Sequence, residues 1–340
     1  MHIKIIAFTQ SGLNLANRLA TLLGEEGHDA ELSNGRKQAT SLQEWVQQGF
    51  DNKTPLVFIG ATGIAVRSIA PYLRSKISDP AVLVIDTAGR YVIPLLSGHV
   101  GGANALAKHL AHILGATAIL TTATDVHKVF AVDTWATEQN LVIFNPERIK
   151  HISSSLLEGR EIRFSSPYSW TGDLPQGLVH ETANGDIKIG YSISIASEAL
   201  HLVPRILTLG VGCRKGTSAE SIETAVKAFL TQEEINPLAL QQVCSIDLKQ
   251  NEPGLVQFCE KQNLLLRTFT SAQLGEVTGD FSGSAFVHSV TGVDNVCERS
   301  AVLGSGGTLV VRKTIINSIT LALAESPLLL TFPKKEVYYA

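Results

Sequence analysis

Ala81-Val82-Leu83-Val84-Ile85-Asp86-Thr87-Ala88-Gly89-Arg90-Tyr91-Val92-Ile93-Pro94-Leu95-Leu96-Ser97-Gly98-His99-Val100-Gly101-Gly102-Ala103-Asn104 carries two apolar runs and one glycine-rich junction. The runs Ala81–Ile85 and Tyr91–Leu96 flank the turn Ala88-Gly89-Arg90, which predicts a β-hairpin. The junction Ser97–Asn104 then opens a run of helical period that includes Ala105, Leu106, Leu110, Ile113 and Leu114. Glycine lets backbone come close to a ligand, and the helix that follows aims its free N–H groups and positive dipole end at the junction. Ser97, Gly98, Gly101, Gly102 and Asn104 therefore form a candidate cradle for an anion or a developing negative charge. A tight turn needs one or two glycines; it needs neither His99 nor Asn104, so a site is favoured over plain strand–helix packing. An imidazole, with a reference pKa of about 6.5, suits proton transfer near neutrality.

Toward the N-terminus, strand and helix alternate. Ile3–Phe8 reads as a short strand, Ser11–Leu23 as an amphipathic helix, Asp29–Leu32 as a strand and Leu42–Gln48 as a helix. Leu56-Val57-Phe58-Ile59, bounded by Pro55 and Gly60, is apolar at every position and suits a buried strand of a parallel sheet. The hairpin makes that sheet mixed. Ala118-Ile119-Leu120 closes the unit and delivers Thr121-Thr122-Ala123-Thr124-Asp125.

Beyond this N-terminal α/β domain (1–125), residues 126–200 form a middle segment and linker. Val129–Gln139 and Pro146–Leu157 read as helices there, and residues 165–186, rich in Ser, Pro, Gly and Thr, as irregular. A C-terminal α/β domain (201–326) opens with the strand Ile206–Leu209, the turn Gly210–Thr217 and the helix Ser218–Leu230. Its further strands fall near Cys244–Leu248, Leu264–Phe269, Thr308–Arg312 and Ile319–Ala324, and residues 327–340 read as a loosely attached tail. The expected fold class is α/β, with two three-layer α/β/α units of mixed sheet joined by a small middle segment.

Composition narrows the function. A net charge of −3 over 340 residues supplies no global field to draw nucleic acid, so an acidic ligand must be met by local cations. Cys213, Cys244, Cys259 and Cys297 form no C-x-x-C pair, which points to free thiols in a reducing compartment and away from a disulfide framework or a Cys₄ zinc site. A strand directly after His2 leaves no room for a signal peptide, and no run approaches 18 apolar residues, so the expectation is a cytoplasmic protein with no membrane span. His109 and His112 have metal-like spacing, but no third ligand stands out in the sequence, so no metal site is expected. Neither H-E-x-x-H nor a G-x-S-x-G elbow occurs.

Other motifs keep two readings open. Gly60-Ala61-Thr62-Gly63-Ile64-Ala65-Val66-Arg67 lacks both dinucleotide-fold spacing and the P-loop lysine. Gly60, Thr62, Gly63 and Arg67 make either an anion-binding turn or simple strand–helix packing. Asp125, in the same run as Thr122, sits where open α/β sheets collect ligands or serves as an N-cap, and His127 is equally ambiguous. In the second half, Gly212, Arg214, Lys215 and Thr217 share a glycine turn, and Lys249 and Glu252 a strand-to-helix turn. Asp294, Asn295, Glu298 and Arg299 are interleaved with Val293, Val296 and Cys297, which favours a site over a solvated face.

Together these motifs resemble the cobalt-precorrin-5A hydrolases. Gly60–Arg67, Asp79-Pro80-Ala81-Val82, Leu95–Asn104 and Thr121–Asp125 resemble that family's N-terminal and middle regions; Gly210–Thr217, Ser245–Gly254 and Thr291–Arg299 resemble its C-terminal domain. The match is in order and covers nearly the whole chain apart from residues 165–200 and the tail; His127 departs from it, where asparagine is expected more often. The resemblance implies a step of anaerobic cobalamin biosynthesis: opening the δ-lactone of a cobalt-bearing tetrapyrrole with release of acetaldehyde to give cobalt-precorrin-5B. Cobalt then travels with the substrate, the protein needs no cofactor of its own, and partners are the cobalt-precorrin and, transiently, neighbouring pathway enzymes. On this reading His99 or Asp125 activates water and the N–H groups of Gly101 and Gly102 hold the oxyanion; a second reading puts the base at Asp294 or Glu298. The alternative is a corrinoid-intermediate binding or carrier protein with no hydrolysis of its own, since the C-terminal domain alone resembles stand-alone proteins of the aerobic branch.

Overall fold

The computed structural model describes residues 1–36, 41–75, 78–98, 101–123, 127, 129–182, 184–193 and 198–332. Two compact units divide the chain, 1–134 and 135–340.

In the first unit the chain runs β1 (His2–Ala7), α1 (Gln10–Glu25), β2 (Asp29–Asn34), α2 (Leu42–Asp51), β3 (Leu56–Ile59), α3 (Thr62–Ile69), β4 (Val82–Ile85), β5 (Tyr91–Leu96), α4 (Ala103–Leu114) and β6 (Thr117–Ala118). Local chemistry starts the helices: Thr9 accepts the Gly12 N–H at the head of α1, and Ser41 and Glu44 close a capping box on α2. The sheet order is β2-β1-β3-β4-β5-β6. Its faces follow the two-residue side-chain period. Ile3, Ile5, Val57, Ile59, Leu83 and Ile85 pack under α1 and α4, and Ile6, Leu56, Phe58, Val82 and Val84 under α2 and α3. With helices on both faces, Leu56–Ile59 can be apolar throughout, as read from the sequence.

The expected hairpin is present, and its direction matters. β1 to β4 are parallel, whereas β5 runs antiparallel to β4, with Val82 opposite Leu96 and Ile85 opposite Val92. The Asp86 carboxylate accepts the Arg90 and Tyr91 N–H groups, each at 2.7 Å, and closes the turn. β5 therefore ends beside the beginning of β4. Gly60 leaves the sheet at one edge and Ser97 at the other.

The second unit holds two five-stranded sheets. In the middle segment β7 (Leu141–Ile143), β8 (Ile162–Ser165), β10 (Leu178–His180), β11 (Ile187–Ile189) and β12 (Leu200–Pro204) pair in the order β10-β8-β11-β12-β7; β9 (Trp170–Thr171) lies between β8 and β10 in the chain. The middle segment, expected to be irregular over 165–186, thus holds a sheet of its own, with α5 (Val132–Glu138) and α6 (Ile149–Leu157) where helices are expected. Then follow β13 (Leu207–Gly212), α7 (Ala219–Gln232), β14 (Leu240–Ile246), α8 (Pro253–Gln262), β15 (Leu265–Phe269), α9 (Ser271–Glu276), α10 (Ala285–Thr291), α11 (Cys297–Ser305), β16 (Thr308–Ile316), β17 (Ile319–Glu325) and β18 (Leu330–Thr331). Five of these strands form a mixed sheet in the order β15-β14-β13-β17-β16.

The tail is not loose over its described part. β18 pairs with β9, Trp135 Nε1 donates to the Thr331 carbonyl at 2.7 Å, and the Trp135 ring stacks on Phe332 with centroids 4.7 Å apart. Leu330 and Phe332 are buried, so apolar contact ties the chain after β17 to the middle segment. The remaining tail residues lie outside the described set. Among the described residues no helix is long and apolar enough to cross a membrane.

α11 lies so close to β13 that a Cβ on Gly210 would overlap the Cys297 carbonyl and stand 3.0 Å from the Ala301 Cβ. Backbone cannot step aside as a side chain can. Gly210→Ala should cost about 2–4 kcal/mol in urea denaturation. An unchanged unfolding midpoint would show that the two elements can separate freely.

Candidate active site

In the first unit the junction after β5 is built by crowding. Ser97 is buried and left-handed, with φ of 58°, and its Oγ donates to the Asp79 carbonyl at 2.8 Å. The N–H groups of Ala103 and Asn104 return to the carbonyls of Ser97 and Gly98 at 3.0 and 2.9 Å, which closes the loop onto the start of α4. A Cβ on Gly101 would run into the Ser97 side chain, and Gly102 sits at φ of 80°. Both positions demand glycine for a stated reason. Among the described residues no acceptor lies on the N–H of Gly101 or Gly102, the arrangement an oxyanion cradle requires.

Asn104 is buried, and its Nδ2 donates to Thr122 Oγ1 at 3.0 Å. This bond joins two of the predicted motifs at one sheet edge: β6 runs parallel to β5, so the chain after it heads toward Ser97. His99 and Asp125 lie outside the described residues. Gly60, Thr62, Gly63 and Arg67 are not part of this assembly. They follow β3 at the opposite edge, where Thr62, Gly63 and Arg67 are exposed.

In the second unit β13 and β14 are parallel, so the turns after them share an edge. Glu252 links the two. Its Oε1 accepts the Gly216 N–H at 2.6 Å and its Oε2 accepts Lys249 Nζ at 2.8 Å, while Thr217 Oγ1 donates to the Arg214 carbonyl at 2.8 Å. The Lys249 bond, with the Gly216 N–H and nearby Lys215, holds the Glu252 carboxyl below the usual glutamate range although burial opposes it. Gly212 ends β13, and Arg214 and Lys215 are exposed on the turn.

Glu298 is 0% exposed. Its carboxylate accepts the Ser282 N–H at 2.7 Å, the Lys313 N–H at 2.7 Å and Asn295 Nδ2 at 2.6 Å. Lys313 Nζ in turn donates to the Ser282 carbonyl at 2.6 Å. Arg299 is equally engaged. Its Nε pairs with Asp294 at 3.0 Å, its Nη1 donates to the carbonyls of Leu274 and Val277, and its guanidinium lies over the Phe281 ring at 4.8 Å. Glu298 and Arg299 thus hold the chain around 274–284 in place, and Asp294 is the partly exposed carboxylate of the group. The thiols are poor nucleophiles: burial pushes Cys244 and Cys259 up to about 12 and Cys297 up to about 11, and raises half-buried Cys213.

Comparison with known proteins agrees with the order of these motifs. The family profile "Cobalamin synthesis G N-terminal" matches residues 44–125, "Cobalamin biosynthesis central region" 130–191, and "Cobalamin synthesis G C-terminus" 207–324. A Salmonella typhimurium protein named cobalt-precorrin-5A hydrolase is 34% identical, over 94% of this chain and 97% of its own. The chain belongs to the cobalt-precorrin-5A hydrolase family. A Priestia megaterium protein of the same name is 29% identical over 95% of this chain and 94% of its own. A solved structure from Sulfolobus solfataricus, described as a cobalamin biosynthesis protein G homologue, covers 95% of this chain and 97% of its own at 21% identity and a TM-score of 0.42.

Within this family member, sequence reasoning gave no role to Asp79, Ser282 or Lys313. The buried Asp79 carboxylate accepts the Arg74 N–H at 3.0 Å and the Ser75 N–H at 3.2 Å, which fixes the loop whose carbonyl holds Ser97. The Asp-Pro pair ahead of β4 is a sequence signal for such a loop clamp. Ser282 and Lys313 meet Glu298 through backbone N–H groups, which leave no trace in residue identity, and Lys313 adds a side-chain bond to the Ser282 carbonyl.

Two measurements check these assignments. Glu298→Gln puts an amide donor against backbone donors and should cost about 2–4 kcal/mol in chemical denaturation; wild-type stability would show that the cage tolerates a neutral group. Glu252→Gln should cost about 1–3 kcal/mol at pH 7. Because the folded carboxyl titrates below its ordinary value of 4.5, its contribution is complete above that value and fades as pH falls through the folded one. The gap between wild type and Glu252→Gln should therefore close in acid, and a gap that widens there would refute the linkage.

Proposed function

We propose that the chain is a cobalt-precorrin-5A hydrolase, and that its reaction runs at the edge where the Ser97–Asn104 junction meets Thr122. The observation that carries this is the Asn104–Thr122 bond beside the N–H groups of Gly101 and Gly102, in a chain whose named relatives match it nearly end to end. Water adds to the lactone carbonyl, and its proton passes to His99 or Asp125. The tetrahedral oxyanion sits on the Gly101 and Gly102 N–H groups. Collapse breaks the ring C–O bond and leaves a carboxylate and a free hydroxyl. A base then takes the hydroxyl proton, the bond from that carbon to the macrocycle breaks, and acetaldehyde departs. The electron pair stays on the conjugated macrocycle, which takes up a proton. The second reading of the base falls on Asp294, the partly exposed carboxylate of its group, and not on enclosed Glu298.

Positioned acid–base help is typically worth ~10²–10⁴ in rate. His99→Ala should lower kcat by about that factor with little change in KM, with acetaldehyde followed by a coupled dehydrogenase. Asp125→Asn and Asp294→Asn, assayed in parallel with it, separate the three candidate bases. Near-native turnover by His99→Ala removes His99 from the chemistry. Tight binding of the lactone by wild type with no aldehyde released would overturn the hydrolase reading in favour of a carrier.

A further inference from the structure

Three side chains that share no sequence motif meet beside the C-terminal end of α1. Glu26, His28 and His109 each offer a ligand atom, and these atoms lie within 4.8 Å of one another. Glu26 and His28 come from the turn after α1, and His109 from the second turn of α4. The two helices are held together by a common core that includes Leu19, Leu23, Leu106 and Leu110. The sequence shows no third ligand beside His109 and His112, whereas in the fold Glu26 and His28, far away in the chain, stand beside His109.

The turn is rigid. Gly27, at φ of 77°, donates to the Gly24 carbonyl at 3.0 Å, and the His28 N–H donates to the Leu23 carbonyl at 2.9 Å. This is the paired closure of a Schellman motif, and it fixes Glu26 and His28 relative to the helix. The negative end of the α1 dipole adds its field for a cation.

The donor atoms already face one another: buried His109 Nε2 stands 2.8 Å from Glu26 Oε2 as an ion pair, without the geometry of a hydrogen bond. The His28 ring stands edge-on to the His109 ring, with centroids 6.0 Å apart. We propose that Glu26, His28 and His109 form a binding site for a divalent transition-metal ion, with Zn²⁺ the best match, that clasps α1 to α4. Two imidazoles and one carboxylate are the donor set of zinc and its neighbours Co²⁺ and Ni²⁺; Ca²⁺ and Mg²⁺ take oxygen donors. On a tetrahedral ion with ligands at about 2.1 Å, neighbouring donor atoms stand roughly 3.4 Å apart. The Glu26 side chain, 40% exposed, can retreat by that small amount, and solvent can fill the fourth position.

The test uses the full chain, stripped with chelator and titrated with Zn²⁺ in a calorimeter. One ion per chain is expected, with a rise in Tm that chelator reverses. Co²⁺ in its place should give the visible absorption of a four-coordinate nitrogen–oxygen site. Glu26→Gln, His28→Ala and His109→Gln should each weaken Zn²⁺ binding by about tenfold or more, whereas His112→Ala, on the same helix and outside the cluster, should not. Should His109→Gln fail to fold in chelator, Glu26→Gln at the exposed corner carries the same comparison. Absence of stoichiometric Zn²⁺, or an affinity unchanged by both Glu26→Gln and His109→Gln, overturns the proposal.

Discussion

The antiparallel pairing of β4 with β5 is the constraint on which the N-terminal unit depends. Parallel strands joined by helices deliver every loop after a strand to the same edge. By reversing one strand, the Asp86-closed hairpin sends the glycine junction to the other edge, beside Asp79 and within reach of Thr122. The generic ligand edge of the sheet is left with the Gly60 turn and the exposed Arg67. Two glycine-rich turns that look alike in the chain therefore have different fates, and strand direction alone separates them.

Buried carboxylates do similar work in three places. Asp79, Glu252 and Glu298 each accept one or more backbone N–H groups from a loop that would otherwise lack partners. A carboxylate out of water needs such donors, and the loop gains a fixed shape in return. The same enclosure distinguishes a group that positions chain from one that can meet substrate. Glu298 belongs to the first kind; Asp294, paired with Arg299 but with its side chain partly exposed, retains access.

Much of the fold was legible. Long apolar runs, capping residues and the Gly89 turn mark strands, helices and the hairpin locally, and the structure places them within a few residues of expectation. The middle sheet was not, because strands such as Leu178–His180 and Ile187–Ile189 are three residues long, too short to display a two-residue period. The tail's attachment was hidden for another reason. Its partner for Leu330 is Trp170, and Trp135 reaches Thr331 across 196 positions, so no local window contains both halves. At the candidate site the glycines, Asn104 and Thr122 could be singled out, but not that Asn104 and Thr122 bond to each other while Gly60 stays apart.

The element types, the mixed character of the first sheet and the membership of the motifs in one ordered set can be read along the chain, since each rests on side-chain period, turn chemistry or residue identity within a short span. Tertiary structure alone decided which motifs share an edge, that Glu298 is enclosed while Asp294 is not, and that Glu26, His28 and His109 converge. Those outcomes depend on strand direction and on the packing of α1 against α4, which bring together residues that are distant in the chain and carry no mark of one another.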